Sequence, residues 1–298
     1  MFKWANLFSR KEFKQEIISP DGRTKYNFYL NSGKIFYNVV RDNKPVINKS
    51  TLGFTLFGEE PLGNNLKLIR AQHKKHSETV EMQWGEDRYI DNTYHETAFY
   101  LAETTNTQRI FTVRVRVFNY GIAFRYEIPP QPKFQRITVK DELTEFNLDL
   151  NTIAWYIPAY QPDRYEYNYE KTTVYSLTNS AHTPLTLKTL NGYYLSIHEA
   201  ALYDYGSMTL KLNQARILQS DITPLSDGTR AHLNLPFQTP WRVIMLADSA
   251  IELTTNRLIY VLNDAPSQDF SLVKTLKFIG IWWDMYVGEW TWAPGERH

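Results

Sequence analysis

The residues with the most chemical reach in this chain are carboxylates set among aromatic rings. Asp163, Glu166 and Glu170 stand in "QPDRYEYNYEKTT" beside Tyr165, Tyr167 and Tyr169. Acids interleaved with tyrosines can hydrogen-bond sugar hydroxyls while the rings stack on sugar faces. The same stretch also reads as a solvated, tyrosine-rich crossover. Glu199 stands in "YYLSIHEAALYDYGS", where an alternating pattern gives way to small residues. A carboxylate at a strand end can enter a neighbouring site and suits a hard, oxygen-preferring cation such as calcium. From spacing alone, most such acids are exposed and ordinary, and this one is expected to lack a partner. A third group closes the chain: "FIGIWWDMYVGEWTW" holds Trp282, Trp283, Trp290 and Trp292 around Asp284.

Other chemistries find little support. With no cysteine, disulfides, thiol catalysis and thiolate zinc sites are excluded. The seven histidines are scattered, and "YHETAFY" lacks the second histidine of a zincin helix. His73 and His76 fall in "RAQHKKHSE", which reads as a charged surface loop. There is no glycine-rich phosphate loop and no Gly-x-Ser-x-Gly nucleophile elbow. Lys+Arg 33 against Asp+Glu 32 leaves a net charge of +1, too little for a nucleic-acid binder. No run approaches the ~20 apolar residues of a membrane helix. The start, "MFKWANLFSRKEFKQE", carries early positive charge but no apolar core of a signal peptide.

The elements that must position these groups read as strands. In "RIFTVRVRVF", Phe111, Val113, Val115 and Val117 share one face, and Thr112, Arg114 and Arg116 the other. Leu185 and Leu187 precede Asn191-Gly192, and Tyr193, Leu195 and Ile197 follow it, which is the pattern of a hairpin. "SMTLKL" and "WRVIMLAD" are further strands, while "KDELTEFN" reads as a helical turn or a strand edge. A dozen or more short strands with regular turns predict an all-β fold, a large antiparallel β-sandwich. Polar and turn residues cluster at 263–274, a candidate boundary. The apolar run after it, "TLKFIGIWW", suits a strand buried on both faces, as in a parallel barrel.

Several stretches, in order, resemble glycoside hydrolase family 97, bacterial α-glucosidases and α-galactosidases. They are "SGKIFYNVVRDNKPVINKSTLGF", "GIAFRYEI", "WYIPAY", "YYLSIHEAALYDYGSM", "TPWRVIMLAD" and "FIGIWWDMYVGEWTW". The resemblance implies a galactose-mutarotase-like super-sandwich over 15–270 and the linker and first strand of a truncated (β/α)8 barrel over 271–298. Residues 1–14 would be a leader or a mispredicted start. It implies that the catalytic acids belong to the absent barrel, so none is assigned here. Glu199 would supply a ligand to Ca2+ in the complete enzyme. Trp282, Trp283 and Asp284 would line the sugar site, or serve in packing between domains. The partners implied are an α-linked oligosaccharide and the chain's own catalytic barrel. The location implied is periplasmic. Two other functions compete: a free-standing carbohydrate-binding sandwich without hydrolysis, and a module that pairs with a separate barrel chain.

Overall fold

The computed structural model describes residues 12–83, 85–132, 134–160, 167–265, 267–270, 272–274 and 276–277. It divides into two units, Met1–Asp264 and Ala265–His298. In the second, the described residues include a turn in which Val273 N donates to Phe270 O at 2.9 Å.

The first unit is a large antiparallel β-sandwich. One layer is a ten-stranded sheet. Its strands run, edge to edge, Glu170–Thr173, Ile153–Tyr156, Leu185–Lys188, Tyr194–Ala200, Trp241–Ala247, Gly121–Ile128, Ile110–Phe118, Tyr94–Glu103 and Leu66–His76, with Phe237–Gln238 alongside Gly121–Ile128. Smaller antiparallel sheets face it. One is built from Phe13–Ile18, Thr24–Asn31, Lys34–Arg41 and Lys44–Thr51. A second joins Phe54–Leu56, Arg136–Glu142 and Ala231–Asn234. A third joins Ala181–His182, Met208–Leu212, Leu218–Ile222 and Glu145–Phe146.

Period-two burial explains the stacking. Phe111, Val113, Val115 and Val117 point into the main core, as the alternation requires. They meet Tyr26, Phe28, Tyr37 and Val39 from the opposing layer, with Phe28 stacked on Phe99 at 3.8 Å. The Asn191-Gly192 hairpin forms between Leu185–Lys188 and Tyr194–Ala200, with Leu185 opposite Ile197 and Leu187 opposite Leu195. The segment 140–147 has no helix: its residues end the strand Arg136–Glu142 and form Glu145–Phe146. His73 and His76 lie on the edge strand Leu66–His76 rather than in a loop. Lysines and histidines there keep an unpaired sheet edge from pairing with another chain.

The outer face of the ten-stranded sheet is partly covered by two short helices, Ala250–Thr254 and Leu258–Leu262. Ser249 caps the first by accepting from Glu252 N at 3.2 Å. Leu258, Val261 and Leu262 pack on Phe118, Ala123, Trp241 and Val243 in a second core. No helix among the described residues is long and apolar enough to cross a membrane.

Candidate functional site

Strands Tyr194–Ala200 and Trp241–Ala247 pair so that Glu199 lies opposite Arg242 and Ala200 opposite Trp241. Leu195, Ile197 and Glu199 therefore point into the sandwich, and His198 and Ala200 point to the outer face. At the end of the core the apolar row gives way to charge. Glu142, from the facing sheet, Arg242 and Glu199 are all buried, at 1%, 0% and 7% exposure.

The Arg242 guanidinium joins both acids. Its Nε donates to Glu142 Oε1 at 2.8 Å and its Nη2 to Glu142 Oε2 at 2.6 Å. Its Nη1 donates to Glu199 Oε2 at 2.8 Å. Thr144 Oγ1 and Tyr205 OH also donate to Glu142, at 2.7 and 3.0 Å. Glu142 thus accepts four hydrogen bonds, the full capacity of a carboxylate. Glu199 accepts two among the described residues, the second from Met208 N at 2.9 Å.

The electrostatics follow from this sharing. Burial pushes the Glu142 carboxyl up, but the Arg242 charge and its two hydrogen bonds outweigh that and hold it below the usual range. Burial pulls Arg242 down, and the Glu142 carboxylate more than offsets it, so Arg242 stays charged. Burial, then the Glu142 charge, pushes the Tyr205 phenol well up, keeping it a donor. In formal charges, two carboxyl groups share one guanidinium in this hydrogen-bonded trio.

The turn after Glu199 is tightly seated. Ala201 N donates to Asn263 Oδ1 at 2.9 Å. A Cβ on Gly206 would stand 2.7 Å from both Thr223 O and Ile222 Cγ2, so only glycine allows this approach. That approach delivers Met208 N to Glu199. Tyr203 lies in this turn, past the strand end, and is 54% exposed.

Glu199 is therefore not an exposed acid without a partner, as its position in the sequence suggests. A strand partner 43 residues away and a nearby backbone amide bury it. Arg242 and Glu142 were not picked out from the sequence. A signal existed: Arg242 interrupts the apolar run "WRVIMLA", and a charge inside a buried strand requires an opposite charge. Among the other acids, Glu170 starts a strand and accepts from Tyr156 OH at 2.7 Å. Asp163 and Glu166 lie outside the described residues, as do Trp282, Trp283 and Asp284.

His198, on the outer face, has a buried Nδ1 with no hydrogen-bond partner among the described residues. Burial lowers its pKa, with the Glu199 charge opposing. Nearby, the guanidinium groups of Arg116 and Arg125 each lie over the Trp241 ring, 4.6 and 4.3 Å from its centre. Glu96 bridges Arg114 and Arg116, and Glu127 bridges Arg114 and Arg125.

As a test for a cation, the donor set fits in part. Glu199 offers hard carboxylate oxygens, the donor type calcium prefers, but it is ion-paired with Arg242. No three His, Cys, Asp or Glu side chains gather as a metal set among the described residues.

The fold is a large antiparallel β-sandwich domain with a buried acid–arginine cluster at one end of its core. The chain belongs to glycoside hydrolase family 97: the model of its N-terminal domain, "Glycosyl-hydrolase 97 N-terminal", matches residues 17–265. A family 97 enzyme from Pseudoalteromonas sp. strain K8, solved with panose and with acarbose, superposes at TM-score 0.88 with 35% identity. That match covers 95% of this chain and 43% of the enzyme. A retaining alpha-galactosidase of Bacteroides thetaiotaomicron is 21% identical over 94% of this chain and 45% of its own length. A beta-arabinopyranosidase shares the fold at TM-score 0.70 and 20% identity, over 78% of this chain and 40% of its own. The chain spans less than half the length of these relatives.

Proposed function

We propose that this domain is the supporting half of a family 97 glycosidase acting on α-glucosides or α-galactosides. Glu199 supplies one ligand to a calcium ion beside the bond to be cleaved, and the domain is not catalytic by itself. The observation that carries this reading is the Glu199 carboxylate. It is buried at the end of the core and fixed by two donors, Arg242 and Met208 N.

When bound, calcium can polarise a sugar oxygen or orient the acid and base. The part played by this chain is narrower. Arg242 and Met208 N hold the Glu199 carboxylate at the end of the sandwich, and the 201–207 turn keeps Met208 in place. The relatives support this class of substrate: one is named an alpha-galactosidase and one was solved with panose and with acarbose.

The test is a barrel-bearing enzyme, made by exchanging the matching region of the Pseudoalteromonas enzyme for residues 17–265 of this chain. Glu199→Gln should lower kcat/KM by a factor on the order of ten to a hundred and weaken the response to calcium. Unchanged activity and an unchanged calcium response would overturn the proposal.

A further inference from the structure

We propose that the cavity beside Asp248 is a binding site for a neutral oligosaccharide. The site does not depend on Glu199 or on calcium.

The cavity holds about 540 Å3 and lies within the first unit. Pockets that take small ligands run to roughly 300–1,000 Å3. Its walls are the turn at Asn119 and Tyr120, the end of strand Trp241–Ala247, helix Ala250–Thr254 and strand Tyr89–Asp91. Arg242 stands at the opposite end of Trp241–Ala247, about 20 Å away at the rise of a strand.

The lining sets the chemistry of the ligand. Arg41 lines the cavity and is only 4% exposed. Its Nε donates to Asp248 Oδ1 at 3.0 Å, and its Nη1 to Thr24 Oγ1 at 2.9 Å and Asn119 O at 3.1 Å. Its Nη2 has no hydrogen-bond partner among the described residues. A buried guanidinium N–H requires an acceptor, and an oxygen in the cavity can supply it. Asn119 adds donors: its Oδ1 accepts from Asp21 N at 2.9 Å, and its Nδ2 is unengaged among the described residues.

Acceptors stand on the same walls. Asp91 Oδ1 accepts from Thr93 Oγ1 at 2.5 Å, and Glu252 Oε2 from Asp248 N at 2.9 Å. The second oxygen of each carboxylate takes no hydrogen bond among the described residues. A group that accepts from Arg41 and Asn119 while donating to Asp91 and Glu252 is a hydroxyl, and a sugar carries several. Four acids and three arginines share the lining, so neither an anion nor a cation is favoured. Tyr89, 59% exposed, offers a ring on which the C–H face of a sugar can stack. Arg88, itself exposed, lies over that ring at 5.2 Å and can give way.

The experiment titrates the full chain with panose, an α-glucoside, and with stachyose, an α-galactoside, by calorimetry. Crystals of the chain are soaked with the same sugars. At least one should bind saturably, with sugar density in the cavity and an oxygen within hydrogen-bond distance of Arg41 Nη2. Tyr89→Ala removes an exposed ring. Asn119→Asp keeps the acceptor for Asp21 N and loses the amide donors. Each should weaken binding by about tenfold. Should Asn119→Asp not fold, Tyr89→Ala decides. Tyr175→Ala removes an exposed tyrosine that does not line the cavity, and it should bind as the unaltered chain does. No saturable binding of either sugar, a cavity holding only water in the soaked crystals, or an affinity indifferent to Tyr89→Ala would overturn the proposal. None of these outcomes bears on the reading of Glu199, because neither calcium nor turnover is measured.

Discussion

At the scale of single residues, Glu142 and Glu199 look alike in sequence and differ in the fold. Glu142→Gln would leave the Nε–Nη2 edge of Arg242 facing a neutral amide in a buried site. Breaking a buried pair in this way costs about 3–5 kcal/mol. Differential scanning calorimetry should place its melting point on the order of 10 °C lower. Glu199→Gln should do much less. It keeps an acceptor for Met208 N or Arg242 and leaves Arg242 paired with Glu142, so its melting point should stay within a few degrees. A large loss for Glu199→Gln would make that acid a structural partner equal to Glu142. None of this was legible in the sequence. Glu199 could be singled out because its strand ends there. Its partner could not, because the register that sets Glu199 opposite Arg242 is a property of strand pairing, not of local pattern.

Elements were more readable, because period two survives in any sandwich. The faces of "RIFTVRVRVF" and the Asn191-Gly192 hairpin follow from local pattern alone. "RAQHKKHSE" misled because an edge strand presents polar residues as a loop does. The turn at 201–207 shows what local pattern misses. Gly206 looks like punctuation, yet it sits against Thr223 O and Ile222 and so sets Met208 N beside Glu199. Gly206→Ala should destabilise the chain by about 1–3 kcal/mol, read by urea denaturation. An alanine variant as stable as the parent would mean that the turn yields freely. pH acts at this scale too. The lowered pKa of His198 means the unfolded chain takes up a proton more readily than the folded one. Stability from neutral His198 is present above its ordinary value near 6.5 and is lost as pH falls below it. The depressed Glu142 adds a further loss at more acid pH, as its carboxylate is protonated. Melting points should therefore fall from pH 7.5 to pH 5.5, and His198→Gln should flatten that slope. A slope that is the same in both proteins would remove His198 from the account.

For the whole molecule, the sandwich matches less than half the length of its family 97 relatives. Hydrolysis of a glycosidic bond requires two carboxyl groups set around it. At the described site the two acids are both bound to one arginine, and Glu142 has no free capacity. The chain alone should show no turnover of nitrophenyl α-glucoside or α-galactoside, and turnover that persists through further purification would contradict this. The most direct measurement is an anomalous difference map from crystals of the barrel-bearing enzyme grown with calcium. A peak at about 2.3–2.6 Å from a Glu199 oxygen, absent in Glu199→Gln, is the predicted result. A calcium peak that lies elsewhere, with Glu199 still bound only to Arg242 and Met208, would contradict it.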